Sequence, residues 1–478
     1  MLARKVTRKI GKHRAAAVAL AALLVTGMSG QVFADVVFLA PETPVKKVVN
    51  GKFAVGVDNG WVIYQGLAGQ PTLNFYDSDT NGTLKLKTAG FGQNGVGLFF
   101  MAGGIVFAPC PVSSGTRCAT DSDTGEAGVG IGFGLATFGG AGGAGGGWVN
   151  DSKMIAHLTN PDQSPGNIVG LAVDPTNGAF AVGWDLSATS FTNHAILWQL
   201  DSATQTYAPQ AKIDLGTLGG PTSQALAISR NAKYVAGIAT DAANKGRAVY
   251  ALTTDTGWTD IQGALGTVIK SRALAASNTG FIAGSATVKR TVAGKNRSVD
   301  IGFVYNTADA TVKIFEAPGY KVIPLRVLDD GRVVGNLELI APGSIKANHP
   351  FLFDGTNLVD FGTMVLASTG QPAFGCRVTK PNSFGELVGS CIPDGATPYG
   401  VNGAAFYLDA ASASPAFIDV NAAVHANVDD AVPTLKPFKM GTVTAIDDQH
   451  EITFMGFKML AGSPVMAAFL ATKPAYNP

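Results

Sequence analysis

Apolar positions in this chain fall in short runs rich in Val, Ile, Phe and Tyr, broken by Asn, Asp, Gly and Pro. Almost nothing reads as a long helix, and the pattern predicts many short strands. Six stretches align beneath one another: LAVDPTNGAFAVG (171–183), LAISRNAKYVAG (226–237), LAASNTGFIAG (274–284), RVLDDGRVVG (326–335), RVTKPNSFGELVG (377–389) and TAIDDQHEITFMG (444–456). Each is a strand, a polar turn, a second strand and a closing glycine. A further apolar element follows each copy: HAILW (194–198), RAVYA (247–251), IGFVY (301–305), HPFLF (349–353), GAAFY (403–407) and MAAFL (466–470). Its second position is compact every time: Ala195, Ala248, Gly302, Pro350, Ala404 and Ala467.

The closing glycines recur about every 50 residues, the last gap being longer, which suits a unit of four strands of about five residues plus turns. One such sheet cannot bury both faces alone, and stacking sheets around an axis solves that while leaving only short edges. The expected fold is therefore all-β, a β-propeller of about six to seven four-stranded blades, with the repeats spanning 151–474. The polar turns belong at strand tips, and the compact residue belongs where sheets crowd together.

Between the outer strand of one unit and the inner strand of the next lies DLGTLGG (214–220), whose glycines permit a tight passage. With HAILW before it and the alanine-rich hairpin after it, the stretch 194–239 resembles the HAF-type bacterial extracellular repeat. The resemblance is looser over 167–474: HPFLFDGTNLVDFGTM keeps the His and the Asp-Phe-Gly-Thr but loses the double glycine, and 247–251, 403–407 and 466–470 lack the His. It implies export and a propeller-like architecture, and it supplies no reaction to transfer.

Residues 35–150 carry the pattern weakly. KFAVGVDNGWVIYQ and PTLNFYDSDTNGTLKLK read as two hairpins, and a nearly pure Gly and Ala stretch follows at 139–147. This segment is either a divergent blade or a small β module ending in a linker.

Residues 1–34 join a basic run to an apolar core too short to span a bilayer, the pattern of a signal peptide. Val32 and Ala34 place cleavage after Ala34, with a secreted or periplasmic product. Six of the 35 Lys and Arg residues lie in this leader, so the mature chain keeps 29 against 34 acids, a balance of about −5. With no later basic cluster, nucleic acid is not an expected partner, and no later run suits a membrane helix. The four cysteines fall in two local pairs, Cys110 with Cys118 and Cys376 with Cys391. An even count in an oxidising compartment predicts two disulfides, the second stapling neighbouring strands.

Candidate chemistry is sparse. Asp77, Asp79 and Asn81 open like a calcium loop, and Asp121, Asp123 and Glu126 repeat half of it, so calcium is the one cofactor the sequence admits. The twelfth position of the first loop is Thr88 instead of a bidentate Glu, which favours a plain Asp/Asn/Gly turn. No phosphate loop, GxSxG or HExxH is present. The histidines are dispersed; His194 and His349 share a repeat slot and point to a repeated structural hydrogen bond. Asp329, Asp330, Asp447 and Asp448 fall in repeat turns, where a glycosidase pair is a minor alternative. Trp198 belongs in the core, whereas Trp184, just after a closing glycine, is the candidate for a loop position that stacks a glycan. Three functions fit: a noncatalytic exported binder of a polysaccharide or other polymer, a surface component or a protein; a carbohydrate-active hydrolase or lyase; or a self-assembling surface protein.

Unreduced mature protein is expected to expose no alkylatable thiol by mass spectrometry; labelling at all four cysteines would argue against both disulfides.

Overall fold

The computed structural model describes residues 46–50, 52–58, 61–66, 73–77, 82–86, 100–102, 105–110, 132–137, 167–186, 192–200, 209–292, 295–340, 347–395, 403–420, 422–423, 439–448, 450–460 and 463–472, with side chains described within 169–454. Val37–Pro478 cluster as one compact unit.

The described strands form seven four-stranded antiparallel sheets and one of three strands. In ring order, the first sheet contains Lys52–Asp58, Trp61–Gly66, Leu73–Asp77 and Gly82–Leu86, and the second Phe100–Ala102, Ile105–Cys110 and Gly132–Thr137. The third runs from Asn167–Asp174 to Pro209–Asp214, the fourth from Gly219–Ile228 to Thr259–Asp260, and the fifth from Lys270–Ala276 to Thr311–Phe315. The sixth runs from Tyr320–Val327 to Leu358–Asp360, and the seventh from Gly375–Pro381 to Phe417–Asp419. The eighth draws on both ends of the chain: Lys439–Ile446, Glu451–Leu460 and Ser463–Thr472 take Lys46–Asn50 as their outer strand.

The first strand of each sheet touches the first strand of the next, and Lys52–Asp58 touches Lys439–Ile446, so the contacts close a ring. This is a β-propeller whose inner strands surround an axis. The six aligned repeats account for six of its sheets, and 52–137 adds two outside the aligned copies.

The cores lie between consecutive sheets. Side chains alternate along each second strand, so Val235 packs toward the third sheet and Ala236 toward the fifth. Ile282 and Ala283, then Val333 and Val334, split in the same way between successive cores. These strands are apolar on both faces, which is why they read as continuous hydrophobic runs.

The repeat residues now acquire physical reasons. Each inner strand from the fourth sheet onward bulges two to four residues before its tip, with register shifts at Ala225/Ala227, Ala273/Ala275, Pro324/Arg326, Val378/Lys380 and Val443/Ala445. In the fourth to seventh sheets the closing glycine sits opposite the bulge, whereas in the eighth Phe454 and Thr453 do and Gly456 pairs with Met440. A Cβ at Gly237, Gly284, Gly335 or Gly389 would be driven into the carbonyl of Gln224, Arg272, Ile323 or Arg377. The compact third-strand residue serves the next junction: Ala195 and Ala248 are fully buried, and their N–H groups donate to Ser223 and Ser271 of the following inner strand.

DLGTLGG is a junction of the same kind. Asp214 accepts from His194 Nδ1 (2.9 Å) and from the Gly216 N–H (2.8 Å), while the buried Leu215 donates its N–H to the Ala195 carbonyl. Gly216 adopts φ +66°, a left-handed conformation that glycine takes without a Cβ penalty. The sixth sheet repeats this with Asp360, His349 (3.0 Å), the Gly362 N–H (2.8 Å) and a Phe361 N–H donated to the Pro350 carbonyl. The histidines of this slot thus make the structural hydrogen bond that their spacing suggests.

Cys376 and Cys391 are directly opposite in register and form a disulfide across neighbouring strands of the seventh sheet. Among the described residues no helix is long and apolar enough to cross a membrane.

Two outcomes follow. Gly389→Ala is expected to lower stability by about 1–3 kcal/mol through overpacking, while Gly257→Ala, with nothing near its Cβ position, leaves the melting temperature nearly unchanged. Burial pushes the Asp360 carboxyl up, but the His349 hydrogen bond and the Gly362 N–H outweigh it and hold it below the ordinary carboxylate value. A depressed acid stabilises above its unfolded pKa and loses that contribution as pH falls through the folded value. Asp360→Asn is therefore expected to cost no more than about 1 kcal/mol at neutral pH, solvent screening included, with the gap to the parent protein narrowing below about pH 4 in acid titrations of stability.

Candidate binding face at the hairpin tips

The inner hairpins all turn at one end of the ring, and five of the described tips open on a polar residue that caps its own turn; in the third sheet Asp174 Oδ1 accepts the Thr176 and Asn177 N–H groups. Ser229 Oγ accepts the Tyr234 N–H, Ser277 Oγ the Phe281 N–H, Asn382 Oδ1 the Glu386 N–H and Asp447 Oδ1 the Glu451 N–H. These local bonds satisfy backbone donors that the turn would otherwise leave open.

The next tip residues reach sideways. Asn177 donates to the Asn231 carbonyl (2.7 Å), Asn231 to the Asn278 carbonyl (2.9 Å), and Asn278 to Asp329 (3.1 Å), linking the third to the sixth sheet. Deeper in, Asn336 exchanges two hydrogen bonds with the Val378 backbone and ties the sixth sheet to the seventh. Ser383 bonds Asp448, and Asn382 donates to the Asp447 carbonyl, which joins the seventh tip to the eighth.

Between the seventh and eighth sheets these links include a buried acid. Glu386, 2% exposed, accepts from Tyr407 Oη (2.5 Å), Asn382 Nδ2 (2.5 Å) and His450 Nδ1 (2.6 Å). Burial and the adjacent Glu386 charge push the Tyr407 phenol far up, so it remains a donor. Phe384 stacks on the His450 ring at 5.2 Å and is 52% exposed, which sets an open aromatic face on this end of the ring.

Charge also collects here. Arg230 of the fourth sheet pairs with Asp448 of the eighth. In a ring of eight those sheets stand opposite, so the pair spans the axis. Arg332 pairs with Asp330 at 2.7 Å. Arg326, half-buried just before the sixth tip, has no hydrogen-bond or ion-pair partner among the described residues. Burial, then the Arg230 charge, lower its pKa to about 10 against the opposing pull of Asp329.

A second feature lies at the outer edge. A groove of about 430 Å³ separates the outer strands of the fifth and sixth sheets, lined by Phe315, Glu316, Pro318, Tyr320, Leu358 and Asp360 among others. Ile314 and Val359 stand exposed beside it.

The sequence-derived candidates are distributed as follows. Trp184 is not in a loop: it lies inside Gly178–Leu186, paired with Ala195 and Asn167, because the strand continues past the closing glycine. Trp198 is in the core at 2% exposure. The turn carboxylates serve the tips, with Asp329 and Asp448 joining sheets and Asp447 capping its own turn. Asp77 and Cys110 end strands whose side chains are not described, while Asp79, Asn81, Asp121, Asp123, Glu126, Cys118, His157, His425, the Gly-rich 139–147 and the leader lie outside the described residues. Among the described residues no three His, Cys, Asp or Glu converge as metal ligands. Sequence reasoning misses Arg326, Phe384 and Glu386; Arg326 leaves a trace, since its repeat slot holds Ala227, Ala275 and Ala445 in other units.

No protein-family model matches the chain, and no curated protein matches it. Among solved structures it is similar to a prolyl endopeptidase (TM-score 0.47, 9% identity), covering 86% of this chain and 55% of that one. It is also similar to the β-propeller domain of the Trilobed protease from Pyrococcus furiosus (TM-score 0.37, 7% identity, 90% and 98% covered). TolB from Acinetobacter baumannii gives a TM-score of 0.31 at 12% identity, with 79% and 80% covered. The chain thus spans about half the length of the prolyl endopeptidase. The propeller architecture stands on the sheet order and the ring of contacts themselves.

Proposed function

We infer that this chain is an exported, noncatalytic propeller of the HAF-repeat kind that binds a polymer, a surface component or a protein partner. The observation that carries the reading is the structural engagement of its chemically capable residues. His194 and His349 brace inter-sheet passages, Asp329 and Asp448 join neighbouring tips, and Glu386 lies buried beneath Tyr407 and His450. A tip ring cross-linked in this way presents a pre-formed surface, and a surface that needs no ordering on binding retains more of its interaction energy. The leader and the Cys376–Cys391 disulfide support an oxidising destination outside the cytoplasm.

A ligand that binds only the folded state raises its stability by mass action, by about 2.7 kcal/mol at a hundredfold excess over Kd. Thermal unfolding of the mature protein, disulfides intact, against polysaccharides and calcium with a chelator control is expected to show a reproducible rise with one polysaccharide class and no product on prolonged incubation. Cleavage of that polysaccharide would overturn the noncatalytic reading, and silence across the panel would move the partner to protein or to a second copy of the chain.

A further inference from the structure

Every described inner strand from the fourth sheet onward has one position two residues before its tip, immediately past the bulge. It holds Ala227, Ala275 and Ala445 in the fourth, fifth and eighth sheets. In the sixth and seventh sheets, which are neighbours, it holds Arg326 and Lys380. The slot that elsewhere takes the smallest apolar side chain carries two long cations in adjacent sheets. The acids of these tips already take hydrogen bonds or ion pairs, since Asp330 is bonded to Arg332, Asp448 to Arg230 and Ser383, and the Asp329 carboxylate to Asn278. Arg326 has no hydrogen bond or ion pair among the described residues, and the charge of Asp329 only partly offsets its burial.

A guanidinium in that position has five donors in a planar fork and a desolvation cost that only an acceptor can offset. The acceptor that fits the fork is a planar carboxylate or the matching face of a sulfate. Beside the cations, the exposed Phe384 ring offers an apolar face on the adjoining tip, braced from behind by His450. An acidic group flanked by a ring-shaped apolar face describes a charged sugar.

Resting on the reading of this chain as a binding propeller, the geometry points to the tip end of the axis as a site for an acidic polysaccharide, whose carboxylate or sulfate groups lie against Arg326, beside the sheet that carries Lys380 in the same slot, and whose sugar rings stack on Phe384. The mature chain is itself net acidic, so general attraction of polyanions is absent and recognition rests on this local cluster. Binding should weaken with salt only modestly, because few charges are neutralised.

The test uses full-length mature protein with its disulfides intact, the parent and the variants Arg326→Gln and Phe384→Ala, in calorimetric titrations with polygalacturonate, dextran sulfate, neutral dextran and poly-glutamate. The parent protein is expected to bind polygalacturonate or dextran sulfate and not dextran, and the stronger of the two identifies the acid. Arg326→Gln should weaken that binding about tenfold or more while the free protein melts no lower, since one poorly solvated charge has been removed. Phe384→Ala, at an exposed tip, should weaken it several-fold with the fold intact, and it keeps the test valid if the arginine variant does not fold. Unchanged affinity in both variants would overturn the proposal, as would a preference for poly-glutamate. Neutral dextran bound equally by all three proteins would sink the anion site yet leave the binding propeller standing, and no binding to any of the four polymers would overturn the acidic-polysaccharide site and move the partner to a protein or a second copy of the chain.

Discussion

At the inner-strand bulges of four successive sheets a carbonyl presses against a glycine of the neighbouring strand, and the bend of this half of the ring depends on that contact. The bulge puts two residues of the inner strand against one of its neighbour, bends the strand and steepens its twist. Sheets bent alike in each repeat can follow one another around an axis with their apolar faces in contact. In four successive sheets the strand opposite leaves no room for a Cβ at that point, and Gly237, Gly284, Gly335 and Gly389 fill it. The closing glycine is therefore a packing residue, fixed by lack of space more than by a need for unusual backbone angles.

Two kinds of junction build on that bend. Deep between sheets, the compact third-strand residue lets the next inner strand approach, and the serine facing it turns the approach into a hydrogen bond. At the passage between blades, a His and Asp pair holds the chain as it crosses, with the Asp capping a left-handed glycine. Neither junction has much strength alone, because each of its polar bonds exchanges with water on unfolding and nets about 1 kcal/mol. Their value lies in repetition around a ring, where displacing one sheet disturbs two interfaces. The N-terminal strand Lys46–Asn50, paired with Ser463–Thr472, makes the two ends of the described chain share a sheet and removes the free ends that an open array would have.

The legible part of this fold is the part that repeats. The closing glycines, the compact residue, the DLGTLGG passage and the Cys376 and Cys391 pair each leave a short local pattern, because each answers a local steric or covalent demand. The closing strand does not: Lys46–Asn50 finds its partner more than 400 residues away, and nothing in five residues encodes that distance. The sheets within 52–137 are less legible for a related reason, since the first keeps a polar turn but its following glycine, Gly66, pairs with Lys52 instead of sitting at the bulge. The pattern misplaces Trp184 because a closing glycine looks like the end of a strand, whereas here the strand runs through it. Of the tip face, the capping residues can be read from their turn chemistry, but Glu386 and its partners come from different strands and repeats and meet only in three dimensions.

Arg326 sharpens the division between scaffold and surface. In a repeat protein each slot is filled many times under nearly the same physical constraints, so the other copies act as controls for any one residue. Alanine fills the position past the bulge in three of the sheets without difficulty, which shows that the bend itself asks for nothing larger. An arginine there adds rotamer entropy to be lost and a charge to be desolvated, both unfavourable to folding. The lysine that fills the same slot in the next sheet repeats the departure at the adjoining point of the ring. Where local chemistry runs against the demands of the scaffold, as it does for this arginine, and no hydrogen bond or ion pair among the described residues offsets it, the balance is met by something outside the chain. By that argument Arg326 marks the sector of the axis that the rest of the ring is built to hold in place.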